Sequence, residues 1–278
     1  MSSSFVSRAA AALIAAIVVP SVANAAVISV NFQRSGDTPL TATQTAGVVP
    51  AANWNDAVVS SAVTPSLAAG TVKDDAGNAL ASTTIGWSST SVYRIFTATA
   101  TTGDGQLMKA YLDNNGAATI TIANLPATFT DAGYKVIVYA DSDKTDGDRV
   151  GQYRILSGTS GSTQLGEAKY LRDSANFTAN GTSANYVEST VTVNPVPADN
   201  TTEALAIGNY VTLGSDAAPL TASTFRIEAF AARFNGSVNG FQIVSVTAVP
   251  EPTSLALAAV GACGLLARRR RSSNGATC

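Results

Sequence analysis

Residues 134–140 read YKVIVYA, and this stretch decides the fold class. In an extended chain Tyr134, Val136, Val138 and Ala140 share one face, while Lys135, Ile137 and Tyr139 share the other. Further along, residues 223–234 read STFRIEAFAARF, where Arg226 and Glu228 alternate with Phe225, Ile227 and Ala229. That is the pattern of a strand with one wet face. Similar runs cover Val27–Phe32, Val92–Thr97, Ala117–Ala123, Gln152–Leu156, Tyr186–Val193 and Gly240–Val246. Turn formers separate them, most clearly at Asp113-Asn114-Asn115-Gly116 and from Gly158 to Gly161. The segment SLAAGTVKDDAGNAL, residues 66–80, has room for a turn or two of helix and no more. About ten to twelve short strands predict an all-β fold, a single β-sandwich of jelly-roll type. Neither blade repeats nor the short regular repeats of a β-helix occur, so a propeller and a solenoid are excluded.

Composition narrows the chemistry. The 278 residues are 13% charged and contain no histidine, which removes Ser-His-Asp triads, Cys-His dyads and the commonest zinc and iron ligand sets. From Ala26 to Val249 there are twelve Lys and Arg against eighteen Asp and Glu, a net of −6. A mildly acidic body with no basic stripe does not suit nucleic acid. Gly-x-Ser-x-Gly elbows, Walker loops and dinucleotide fingerprints are missing from the sequence. Paired carboxylates, as glycosidases use, can be drawn from Asp104, Asp113, Asp141 and Glu228, but no spacing singles out a pair. The expectation is a protein that is not an enzyme.

Both ends carry processing signals. Arg8, the unbroken apolar run Ala9–Val19, the break at Pro20 and Ala23-Asn24-Ala25 read as a signal peptide over residues 1–25. Signal peptidase would then cut between Ala25 and Ala26. At the other end Val249-Pro250-Glu251-Pro252 leads into the apolar run Leu255–Ala267 and then Arg268, Arg269, Arg270 and Arg271. Arginines on that side alone place that end of the segment in the cytoplasm and the body outside. Thirteen apolar residues make about 20 Å of helix, short against about 30 Å of hydrocarbon, which suits temporary membrane retention. Cys263 and Cys278 both lie in this region, so a body cut free of it has no thiol and no disulfide.

The stretch VPEPTSLALAAVGACGLLARRRR resembles the sorting signal of PEP-CTERM proteins: a Pro-Glu-Pro motif, an apolar helix and an arginine cluster. The resemblance implies an exported protein of a bacterium with an outer membrane, processed near the motif by an exosortase. Such a protein is then released or held at the cell surface or in extracellular polymer. The organisation expected is a signal peptide (1–25), a β-sandwich domain (26–248), the sorting signal (249–271) and a polar tail (272–278). SVNFQ, AGVVPAANWN, LMKAYLDNNG, YKVIVYADSD, ANYVEST and VNGFQIVSV resemble segments of exported proteins of Planctomycetes and related bacteria. That second resemblance implies a jelly-roll body without implying an activity.

Two features of the body are candidate ligand sites. The loop DSDKTDGDR carries Asp141, Asp143, Asp146 and Asp148, hard oxygen donors of the kind calcium takes. Its spacing is not that of an EF-hand, and Lys144 and Arg149 offset part of its charge, so a solvated turn is the other reading. Trp54, after Pro50 and Asn53 in a stretch with little strand character, could stack on a sugar ring or plug one end of the sandwich. Trp87, in a strand-like context, is expected in the core. The function expected is that of a cell-surface or matrix protein. The alternative is a carbohydrate-binding module, with or without calcium, whose partner is a polysaccharide.

Overall fold

YKVIVY, residues 134–139, forms an inner strand of a five-stranded sheet. The structure, a computed structural model, describes residues 25–59, 65–89, 91–96, 100–113, 116–143, 149–173, 185–195 and 206–246. Residues 1–24 of the segment read as a signal peptide, the sorting motif with its apolar run and arginines, and Asp146 and Asp148 lie outside the described residues. Ala25–Thr247 make one compact unit.

Among the described residues run β1 (Val27–Arg34), β2 (Asn55–Val59), β3 (Ser66–Leu67), β4 (Thr84–Trp87) and β5 (Val92–Arg94). After helix α1 (Gly103–Leu107) come β6 (Ala110–Leu112) and β7 (Ala117–Ala123). Helix α2 (Ala127–Thr130) is followed by β8 (Tyr134–Tyr139), β9 (Val150–Ser157) and β10 (Gln164–Asp173). The last four strands are β11 (Ile207–Gly208), β12 (Tyr210–Leu213), β13 (Phe225–Arg233) and β14 (Gly240–Ser245). One sheet has the order β12-β8-β14-β1-β2 and the other β11-β10-β9-β13-β7-β4-β3, while β5 and β6 form a separate ribbon. Pairing is antiparallel except where β1 meets β2 and β10 meets β11.

The alternation read from the sequence puts the core between the two sheets. Val136 and Val138 of β8, Ile28, Val30 and Phe32 of β1, and Phe241 and Ile243 of β14 face Phe225 and Ile227 of β13, Ile120 and Ile122 of β7, and Ile155 of β9. Aromatic rings lock the layers together. Phe32 meets Trp87 edge-on at 5.5 Å, and Tyr134 stacks on Phe225 at 5.3 Å. On the outer face of the seven-stranded sheet Arg154 of β9 pairs with Glu228 of β13, its Nε donating at 2.7 Å. This is the wet face expected of β13.

The five-stranded sheet departs from that expectation, because both of its faces are covered. Val27, Ile137, Tyr139 and Val244 on its second face pack with Leu40, Ala46, Ala51, Trp54, Leu107 and Met108 in a second apolar cluster. The 40–54 segment and α1 form this lid. Gly47 makes the approach close: its φ is +94°, and a Cβ there would stand 2.7 Å from Gln242 Oε1 and 2.8 Å from the Tyr139 hydroxyl. Only glycine fits both the backbone and the space.

Other differences are local. The 186–193 stretch, expected as a strand, contributes a single bridge from Glu188 to Tyr210. Strands β2, β4, β10 and β12 form outside the runs singled out from the sequence. Short helix appears at 103–107 and 127–130 and not within 66–80, where β3 and turns are found instead. Thr102 starts α1 by accepting from the Gly105 amide at 3.0 Å. Trp87 lies in the core as expected.

Candidate functional site

Trp54 lies just before β2, in the second apolar cluster, with 6% of its surface exposed. Its indole N–H donates to Ala51 O at 2.9 Å, and its ring lies 6.2 Å from that of Tyr139. Its ring thus packs on the second face of the five-stranded sheet, beside Ile137 and Tyr139. The polar groups around it are equally engaged. The Tyr139 hydroxyl donates to Gln242 Oε1 and accepts from the Val48 amide at 2.7 Å. Gln242 Nε2 donates to Val49 O at 2.8 Å and to Ser29 Oγ at 3.1 Å. Burial pushes the Tyr139 phenol well above its ordinary range. At the edge of the same face Asp56 accepts from Asn31 Nδ2 at 3.2 Å and from the Leu40 amide at 3.3 Å. Burial outweighs these bonds and raises the Asp56 carboxyl to about 6.

The aspartate loop divides between two sets of partners. Asp141 follows β8 and is buried, its amide donating to Asn239 Oδ1 at 2.6 Å. Its carboxyl is hydrogen-bonded to that of Asp173, at the end of β10, which also accepts from Ser142 Oγ. Burial, and then the neighbouring Asp173 charge, push Asp141 well above the usual carboxylate range. Burial raises Asp173 to about 6. Asp143 Oδ1 accepts from Arg149 and from the Tyr111 hydroxyl, each at 2.9 Å, and the same guanidinium acts on Asp173 through its charge. Among the described residues no group of three or more acidic, histidine or cysteine side chains is placed to hold a metal ion.

The four acids weighed as catalytic partners are also dispersed. Asp104 accepts from the Tyr186 hydroxyl at 2.6 Å and from the Gly47 amide at 2.8 Å. Asp113 takes the Asn235 amide group, Asp141 meets Asp173, and Glu228 is bound by Arg154.

A cleft that the sequence reading missed opens between β10, β12 and the segment around Glu188. It has a volume of about 630 Å³ and is lined by Lys135, Glu167, Lys169, Glu188, Thr190, Thr212 and Asp216, among others. A bulge in β10 shapes it. Leu165 and Lys169, four residues apart, face Ile155 and Tyr153, two apart, so β10 carries two extra residues there. Gly166, at φ +72°, supplies the turn that the bulge needs. Lys135 Nζ reaches both oxygens of Asp216, at 2.9 and 3.2 Å, and Lys169 Nζ lies 3.5 Å from Glu167. A glycine inside the strand-like LGEAKY was the signal in the sequence, since such a glycine marks a bulge.

Residues 248–271 match the family model of the PEP-CTERM protein-sorting motif. Neither a curated protein nor a solved structure matches the chain. The matched region contains Pro250, Glu251, Pro252 and the four arginines 268–271. It begins two residues after Val246, whose amide donates to Gly133 O at 2.8 Å in the last backbone bond of the described body.

Proposed function

From the PEP-CTERM motif, which implies sorting by an exosortase to the cell surface, we infer the role of the whole chain. We propose that it is an exported, non-catalytic protein of the cell surface or extracellular matrix: a jelly-roll body delivered by a signal peptide, retained briefly by its C-terminal apolar run, and freed or attached by exosortase processing. The matched motif is the observation that carries this reading. Strand order supports the jelly roll. Counting only β1, β7, β8, β9, β10, β12, β13 and β14, the sheets read first-eighth-third-sixth and second-seventh-fourth-fifth, every pair antiparallel. Two Greek keys wound together have that order. The separate engagement of Asp104, Asp113, Asp141 and Glu228 supports a non-catalytic body.

The test is to fractionate cells of a producing bacterium with and without its exosortase. The body is expected at the surface, open to added protease, in the first, and in the membrane fraction in the second. An identical distribution in both overturns the proposal. A second reading, carbohydrate binding, is favoured by the charged cleft beside β10. Its calcium-assisted form has less support, since Asp141 and Asp143 serve different partners.

A further inference from the structure

We propose that the cleft between the β10 bulge and β12 binds a segment of a neutral polysaccharide, an inference that rests on the carbohydrate-binding reading and gives it a site and a ligand class. Size comes first. A volume of about 630 Å³ lies within the range of roughly 300–1,000 Å³ that small-molecule sites occupy.

Chemistry comes next. A sugar hydroxyl both donates and accepts, so its site must offer both kinds of group within a few ångströms of each other. Here two ammonium groups and three carboxylates share one wall system with the hydroxyls of Thr190 and Thr212. The lysine side chains sit deeper, 25% exposed at Lys135 and 20% at Lys169, whereas Asp216 and Glu167 stand at the rim, 71% and 75% exposed. Donors therefore line the floor and acceptors the mouth. Each ammonium has three N–H groups, more than one carboxylate uses.

The same arrangement selects by charge. An acidic polymer approaching the lysines must pass Asp216, Glu167 and Glu188, and like charges at close range oppose it. A neutral chain meets no such barrier. The bulge is a further indication, because the two extra residues in β10 re-aim Glu167 and Lys169 into the cleft at the cost of ladder pairing.

The experiment is affinity electrophoresis and calorimetry of the protein recovered from the producing cells. The probes are dextran, mannan, xyloglucan and a mixed-linkage β-glucan, with alginate as the acidic control. At least one neutral polymer should bind, more tightly than alginate. Glu188→Gln and Lys169→Ala should each weaken it about tenfold, the loss of roughly one charge-assisted hydrogen bond. Phe230→Ala, on the outer face of the other sheet, should leave it unchanged. Melting temperatures of all three variants should match the parent, because the altered side chains lie outside the core. Neutral-polymer binding that survives both cleft variants overturns the site and leaves carbohydrate binding standing. Tighter binding of alginate overturns the ligand class. No binding to any polymer overturns both this inference and the reading beneath it.

Discussion

Ala26 and Ser245 hold each other where the first and last strands of the body meet. The Ala26 amide donates to Ser245 Oγ at 2.8 Å, and the Ser245 amide donates back to Ala26 O at 2.9 Å. A chain cut before Ala26 presents this same nitrogen as its α-amino group, with Ser245 Oγ still there to receive it. Val246 then carries the last described backbone bond, two residues ahead of the matched motif. The body thus closes on itself between the two segments read as processing signals.

Removal of the C-terminal segment has a chemical signature. Cys263 and Cys278 are the only cysteines. Protein recovered from the cell surface should show no reactive thiol after denaturation, while protein from cells lacking the exosortase should show two. A thiol count of two at the surface contradicts processing.

The buried pair Asp141 and Asp173 predicts a particular pH dependence. Both carboxyls keep their proton in the fold to a higher pH than in the unfolded chain. Their contribution is intact below the ordinary carboxylate range, near 3.8; that of Asp173 is lost as pH rises through about 6, and that of Asp141 is likewise lost with rising pH. Asp141→Asn retains a donor toward Asp173 and an acceptor for the Ser142 amide, so it imitates the protonated state at every pH. Melting curves should show the variant and parent alike near pH 4 and the variant several degrees more stable at pH 7.5. Parallel profiles contradict the shared-proton pair.

Trp54 should matter to stability and not to binding. Trp54→Ala removes a large side chain from the second apolar cluster and should cost about 3–5 kcal/mol in urea denaturation. Trp54→Phe loses the bond to Ala51 O and should cost about 1 kcal/mol beyond its packing change. Polysaccharide retention by the folded Phe variant should equal that of the parent. A selective loss of retention contradicts this and favours the platform reading.

The lid over the five-stranded sheet depends on Gly47. Gly36 provides the comparison, since its φ is +84° but nothing lies within 4 Å of a Cβ placed there. Gly36→Ala should cost about 1–2 kcal/mol from backbone conformation alone. Gly47→Ala adds a clash with Gln242 and Tyr139 and should cost clearly more in the same denaturation assay. Equal costs contradict the close approach of the lid.

Much of this architecture was legible in the sequence because a period of two survives wherever one face is buried and the other wet. β7 was delimited to the residue, Ala117–Ala123, and β8 and β13 within a residue or two. YKVIVYA even contained the second layer, since Ile137 and Tyr139 are apolar on the face opposite the core. Its lid was not legible, because 40–54 has no periodicity and is held by single bonds such as Val48 N–H to Tyr139. Strand β10 escaped because its bulge breaks the alternation between Leu165 and Lys169. The candidate site suffered for a related reason. Adjacency in sequence suggested that Asp141 and Asp143 act together, but β8 ends at Tyr139, so the period of two no longer sets where these side chains point. Asp173, thirty-two positions on, is the carboxylate that Asp141 meets.

Exosortase processing is the central claim, and the mass of the intact protein tests it most directly. Protein from wild-type cells and from cells lacking the exosortase should be compared by intact-mass spectrometry. The account predicts a wild-type chain that starts at Ala26 and ends near Pro250-Glu251-Pro252, lacking the apolar run and all four arginines, and a mutant chain that keeps them. A chain extending to Cys278 at the surface of wild-type cells contradicts it.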